Sequence, residues 1–249
     1  MPQDPGDTRI DELIAAPRGG RVFEHELLPG LADATGSGRV RLDAIARWLQ
    51  DVAYADLVDA GLAGHGAWVV RRSRIRVETF PRFGERVRLS TFCSGWGRLA
   101  AERQTTVSGG GAIVDSVSVW VHLDPDSRRP SRLGPEFQSV YGASAGARKA
   151  AFRLRHPSPP SWADRSEWRF RVSDVDLAGH VNNAAYWAPV EELLPEGAEP
   201  QAADVEIEFR EPAAPGGAVL LRDGDRMWVA DGREAVHASI LGLRSLVSG

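Results

Sequence analysis

The stretch Asp174-Val175-Asp176-Leu177-Ala178-Gly179-His180-Val181-Asn182-Asn183-Ala184-Ala185-Tyr186 decides how this chain is read. It places two carboxylates, a glycine, a histidine and two asparagines within ten residues. A strand-like run, Glu167 to Val172, precedes it, and a helix-like run, Asn182 to Leu194, follows. A carboxylate and an imidazole at a helix entrance can activate water, and unpaired N–H groups there can hold a developing oxyanion. Those are the parts needed to hydrolyse an ester or thioester without a metal. Plainer readings stand beside this one. Asp176, Asn182 and Asn183 are good turn and cap residues, and Asp174 reads as a turn residue rather than a base. Gly179 fits a positive φ or a close ligand approach, and Tyr186 fits pocket wall or core.

Outward from this motif the chain shows one layout twice. In the second half the strand, turn and helix are followed by strand candidates at Asp204 to Arg210, Ala218 to Arg222, Arg226 to Ala230 and Ala235 to Leu243. Pro189 interrupts the helix pattern, so the helix either bends there or restarts after a short turn. In the first half, Val22 to Leu28 reads as a strand and Thr35 to Gly38 as a turn. Leu42, Ile45, Ala46, Leu49, Val52, Ala53, Leu57 and Ala60 then recur at helical spacing, which predicts an amphipathic helix from Arg41 to Ala60, stopped by Gly61. Strands are predicted at Trp68 to Thr79, Glu85 to Ser94, Leu99 to Val107 and Ala112 to Leu123.

A helix hides its whole surface, and a sheet one face, when a curled antiparallel sheet wraps around the helix. The expected class is therefore α+β. Residues 1–20 read as a disordered or irregular N-terminus, 21–123 as the first unit, 124–164 as a linker with little periodicity, and 165–249 as the second unit.

Composition narrows the function. A formal charge of −4, with no dense Lys/Arg run, argues against nucleic-acid binding. The single cysteine, Cys93, excludes an internal disulfide and a multi-Cys metal site, and it reads as a small buried hydrophobe. No apolar run is long enough to span a membrane, and Met1 to Gly20 lacks a signal-peptide core, so a cytoplasmic protein is expected. Nothing in the sequence asks for a cofactor or a metal.

The layout and motif together resemble the acyl-ACP thioesterases, a family with two tandem hotdog domains. The resemblance spans roughly Val22 to Leu243. In the first half it rests on Arg41 to Tyr54, Trp68 to Val77, Pro81 to Val87 and Ser118 to Val121; in the second, on Asp174, Asp176, His180, Val181, Asn182, Asn183 and Tyr186. It implies a hydrolase that releases fatty acid from acyl carrier protein (ACP), with an N-terminal hotdog forming the acyl pocket and a C-terminal one carrying the catalytic residues. Asp176 and His180 match the family's catalytic pair. The family asparagine two residues after the aspartate is Ala178 here; ungapped alignment puts Pro212 at the position of the family glutamate, and a one-residue shift puts Glu211 there. Backbone N–H groups of Val181 to Asn183, with Gly179 and Tyr186, would form the oxyanion and substrate site. Trp48 on the first helix would cap pocket depth or serve as core.

The turn Asp33 to Gly38 lacks a matching histidine, which implies one catalytic site per chain. Because ACP is acidic, docking needs a basic face. Arg72, Arg74 and Arg76 alternate along one strand and so share one side of it; Arg128, Arg129 and Arg132 form a second cluster. An acyl-CoA thioesterase and a noncatalytic acyl-thioester binder are the alternatives. A hydratase on the same fold fits less well, because its Asp and His usually lie five apart rather than four. A monomer and a homodimer suit the two-unit plan equally.

Overall fold

The computed structural model describes residues 13–150, 152–194, 199–233 and 235–243. The expectation for residues 1–12, and the end of the second unit beyond Leu243, lie outside these. Among the described residues ten strands form one antiparallel sheet: β1 (Val22–Leu27), β2 (Ala67–Thr79), β3 (Val87–Trp96), β4 (Ala100–Gly109), β5 (Ala112–Leu123), β6 (Asp164–Phe170), β7 (Ala203–Phe209), β8 (Gly216–Asp223), β9 (Arg226–Ala230) and β10 (Val236–Leu241). Their spatial order is β1-β3-β4-β5-β2-β7-β10-β9-β8-β6. Read inward from either edge, each half has the same order, and β2 pairs with β7 at the centre, from Arg72 opposite Glu208 to Val77 opposite Ala203. The halves are thus related by a local two-fold, with one shared sheet and the α+β class expected.

The first-half helix, α1 (Leu42–Asp59), follows its sequence periodicity closely. Leu42, Ile45, Ala46, Leu49, Val52 and Ala53 are buried against the sheet, and Gly61, at φ 70°, lets the chain leave the helix in the left-handed region. The second half departs from the expectation of one helix over Asn182 to Leu194. A 3₁₀ turn, Asn183–Trp187, is followed by a short α3 (Ala188–Glu192). Pro189 falls in the first turn of α3, where its missing N–H costs nothing, so it marks a restart rather than a bend.

A third helix, α2 (Pro135–Ala145), lies inside the stretch expected to be irregular. Its Phe137 and Tyr141 pack with Leu62, Cys93 and Ala101, and the ring of Phe137 stacks 5.5 Å from Trp68 and 4.8 Å from Tyr141. Tyr141 donates to the fully buried Asp56 at 2.8 Å, which also pairs with Arg103 at 2.7 Å and Arg21 at 2.6 Å. This ion cluster ties α1, α2 and β4 together.

Val205, Ile207 and Phe209 of β7 face the helices, so Glu206 and Glu208 point the other way and would be stranded without partners. Residues 155–157 cover them. Glu208 accepts the N–H groups of Arg155 and His156 at 2.6 and 2.9 Å, and His156 Nε2 meets Glu206 at 3.1 Å. Arg72 pairs with both glutamates, including Glu208 at 3.3 Å. His156, Glu206 and Glu208 bring three potential metal-ligand atoms together, but the guanidinium of Arg72 already supplies the positive charge there.

Candidate active site

The two turns that enter the helices are superposable bond for bond. In the second, Arg171 N–H donates to Asp174 Oδ2, Asp176 N–H to His180 O, Gly179 N–H to Asp176 O, Val181 N–H to Ala213 O and Asn182 N–H to Asp174 O. In the first, Gly30 N–H donates to Asp33 Oδ2, Thr35 N–H to Arg39 O, Gly38 N–H to Thr35 O, Val40 N–H to Pro81 O and Arg41 N–H to Asp33 O. Gly179 and Gly38 adopt φ 81° and 87°, a region strained for other residues, and no atom crowds a Cβ built on Gly179. Gly179 is therefore explained by its turn. Asp176 occupies the place of Thr35, His180 that of Arg39 and Asn182 that of Arg41.

Asp176 Oδ1 accepts the N–H of Ala178 at 2.9 Å, and Oδ2 lies 3.4 Å from Asn182 Nδ2. Asn182 Oδ1 accepts the N–H of Ala184 at 2.8 Å, the cap expected of it, and also Gln50 Nε2 at 2.8 Å. Gln50 belongs to α1, so the first half reaches into the second half's turn.

Asp176, Leu177 and Ala178 border a cavity of about 450 Å³, within the size range of small-molecule sites. Gln50, Ala53, Tyr54 and Leu57 of α1 form one wall; Ala67, Trp68, Cys93, Ala101, Glu102, Arg103 and Trp120 of the first-half strands form the rest, with Phe137 of α2. The exposed Leu177 and Tyr54 mark its opening, while the buried Cys93 and Phe137 lie inside. Burial pushes the Cys93 thiol up to about 11, so it stays protonated and poorly nucleophilic near neutrality. Arg128 also borders the cavity, and its side chain has no ion pair among the described residues.

Several expected site residues lie elsewhere. His180 is exposed at the turn, does not border the cavity, and its ring makes no hydrogen bond among the described residues. Glu211 is exposed and also off the cavity, close enough to Arg71 to feel its charge. The N–H groups of Val181 and Asn182 are consumed by Ala213 O and Asp174 O, at 2.9 and 2.7 Å, so they cannot serve an oxyanion. Asn183 N–H alone of the three has no partner among the described residues. Tyr186 is core: it is 2% exposed, its ring lies 5.0 Å from Phe170 and 5.6 Å from Phe209, and burial pushes its phenol up to about 12. Trp48 is likewise buried in the core and does not border the cavity.

The alternating arginines do not make an open basic face. Arg72 is buried between Glu206 and Glu208, Arg74 forms two 2.7 Å bonds to Asp204, and Arg76 pairs with Glu78 at 3.0 Å. The residues missed by sequence reasoning are Gln50, Trp68, Arg103 and Phe137. Helical spacing puts Gln50 beside Ala53 and Leu57, but nothing local shows what it touches.

A sheet shared by two like halves, curled about a central helix, places this chain among the hotdog folds. The family is narrower still. Acyl-ACP thioesterase N-terminal domain matches residues 20–141 and Acyl-ACP thioesterase C-terminal domain matches residues 159–230, so the chain belongs to the acyl-ACP thioesterase family. An uncharacterized protein of Mycobacterium tuberculosis is 26% identical over 184 residues, 73% of this chain and 74% of its own. The chloroplastic oleoyl-acyl carrier protein thioesterase 2 of Arabidopsis thaliana is 26% identical over 180 residues, 62% of this chain and 49% of the plant protein. Among solved structures, an acyl-ACP thioesterase from Bacteroides thetaiotaomicron gives a TM-score of 0.73 at 17% identity, covering 88% of this chain and 96% of that one. The 12:0-ACP thioesterase of Umbellularia californica gives 0.70 at 20%, covering 89% and 96%. At these identities the structural likeness shows the fold. No helix among the described residues is long and apolar enough to cross a membrane.

Proposed function

We propose that this chain hydrolyses fatty acyl-ACP thioesters to free fatty acid and holo-ACP in the cytoplasm, with Asp176 as the catalytic carboxylate. One observation carries the reading: among the described residues, Asp176 is the only acidic side chain of the second half that borders the mostly apolar cavity, and apart from Leu177 and Ala178 beside it the wall is built by residues that precede the second half. The names of the plant relatives support ACP as the carrier. So does Arg128 at the cavity, with Arg132 bordering a neighbouring pocket. An acidic carrier would meet this positive charge rather than the arginines of β2.

In this mechanism the acyl chain fills the cavity and the thioester carbonyl sits beside Asp176. Asp176 either removes a proton from water as it attacks the carbonyl carbon, or attacks that carbon itself to give an anhydride that water then opens. In both routes the tetrahedral oxyanion collapses and expels the pantetheine thiolate. Asn183 N–H is the donor left for that oxyanion; one such donor is typically worth about 3–4 kcal/mol. The test is free-thiol release from C8–C18 acyl-ACP and acyl-CoA panels, wild type beside Asp176→Ala. Turnover on acyl-ACP that collapses in the variant supports the proposal; a clear preference for acyl-CoA would replace the carrier, and silence on every substrate would refute the activity.

A further inference from the structure

Gln50 stands on the first half's helix, yet its hydrogen bond is made to the second half's turn. Its Nε2 donates to Asn182 Oδ1 at 2.8 Å, and Asn182 Nδ2 in turn faces Asp176 Oδ2 at 3.4 Å. Ala184 N–H, a backbone donor that cannot turn, sets the orientation of the Asn182 amide, and Gln50 holds the same oxygen from the other half. Asn182 Oδ1 already accepts Ala184 N–H, so with two donors on its oxygen the carboxamide must present its NH₂ group to the carboxylate. A flipped amide would set oxygen against Asp176 and a donor against each of the other two donors. Ala178, two residues after Asp176, has no side-chain donor to do the same work.

The other half shows the same reach in reverse. Gln50 follows Arg41 by nine positions and Glu191 follows Asn182 by nine, and Arg41 and Asn182 are counterparts. Glu191 crosses to the first turn, where it accepts Leu42 N–H at 2.6 Å and pairs with Arg39 at 2.7 Å. The local two-fold therefore assigns this helix position to the opposite turn. In one direction it delivers a carboxylate that fills the turn; in the other it delivers a neutral donor and leaves Asp176 open to the cavity.

We propose that Gln50 is a positioning residue for Asp176, so that the catalytic centre is a composite of both halves. This rests on Asp176 being the catalytic carboxylate. Gln50 orients it through Asn182 without adding charge, and a glutamate there would set a second carboxylate beside the pair.

The test compares Gln50→Met, Gln50→Glu and Asp176→Asn with wild type on one acyl-ACP, measuring kcat, KM, the kcat–pH profile and Tm. Gln50→Met should lower kcat by about 10- to 100-fold, the scale of a small misplacement of a reacting group, with KM and Tm unchanged. Gln50→Glu should lower it at least as far and move the acid limb of the profile to higher pH, because a neighbouring negative charge disfavours a second one. Asp176→Asn should collapse the rate. If Asp176→Asn collapses it while both Gln50 variants keep the wild-type kcat and profile, Gln50 positions nothing and the function still stands. A Gln50→Met effect on KM alone would make it wall, not support. If Asp176→Asn keeps the wild-type rate, the role of Asp176 falls and that of Gln50 falls with it.

Discussion

The two helix-entrance turns have one backbone and two sets of side chains. Around Thr35 the position of a helix-entrance donor is filled: Leu42 N–H is held by Glu191, and Glu191 by Arg39. Around Asp176 the matching N–H, that of Asn183, has no partner among the described residues, and the carboxylate borders a cavity. The folding problem is solved identically twice, and a few substitutions decide which copy is open. A buried ion pair closes the first turn as a structural joint.

The largest effect expected is at Asp176. Asp176→Ala should lower kcat/KM by about 10²–10⁴-fold, the usual contribution of a general base, while Thr35→Ala leaves it unchanged. Steady-state kinetics on a single acyl-ACP checks both, and comparable losses would break the distinction between the turns. Next comes the joint. Glu191→Ala strands Arg39, which is 4% exposed, and should cost about 3–5 kcal/mol of stability in denaturant titration. Glu199, 3.6 Å from Arg39 but 36% exposed, leaves only a longer, solvent-screened pair in its place. A Glu191→Ala protein as stable as wild type would show that the first turn needs no plug.

If only the second half reacts, the thiol in the first-half wall must be inert. The folded chain binds the protons of Cys93 and Tyr186 more tightly than the unfolded chain, since burial pushes these groups up to about 11 and about 12. Their contribution to stability is complete below about pH 9 and is lost as pH rises through about 11 for Cys93 and about 12 for Tyr186. For Cys93 the loss is on the order of 2–3 kcal/mol. Urea midpoints between pH 8 and 11 should fall less steeply in Cys93→Ala, and rapid alkylation of Cys93 at pH 7.5 in the folded protein would contradict its burial. The smallest effect is expected at His180. His180→Ala should stay below the roughly 10²-fold loss typical of an acid–base residue, and a larger drop in kcat would bring the imidazole into the chemistry.

Much of this was legible in residue patterns. Helical spacing from Leu42 to Ala53 and turn punctuation between strands predict α1 and the strands to within a few residues, because each reports local burial. Pro189 signals a break, although not that the second helix shrinks to a 3₁₀ turn and a short restart. The α2 helix was masked by its Pro- and Arg-rich surroundings, despite Pro135 at its start and Phe137, Val140 and Tyr141 at helical spacing. Long-range pairing is where local reasoning stops. Arg72, Arg74 and Arg76 do share a strand face, but the charges of Arg72 and Arg74 are answered by Asp204, Glu206 and Glu208 on a strand about 130 positions away, and that of Arg76 by Glu78. Gln50 and Asn182 are likewise far apart in the chain, and no motif links them. Asp176 stands out as a candidate in the sequence because its hydrogen-bond partners, Ala178, His180 and Asn182, are also its neighbours in sequence.

The most direct test of the central claim is a crystal structure with a non-hydrolysable acyl-pantetheine analogue, its sulfur replaced by methylene. The account predicts the acyl chain in the cavity between α1 and the first-half strands, with the carbonyl beside Asp176 and its oxygen toward Asn183 N–H. An acyl chain bound elsewhere, or a carbonyl set against Arg39 and Glu191, would contradict it.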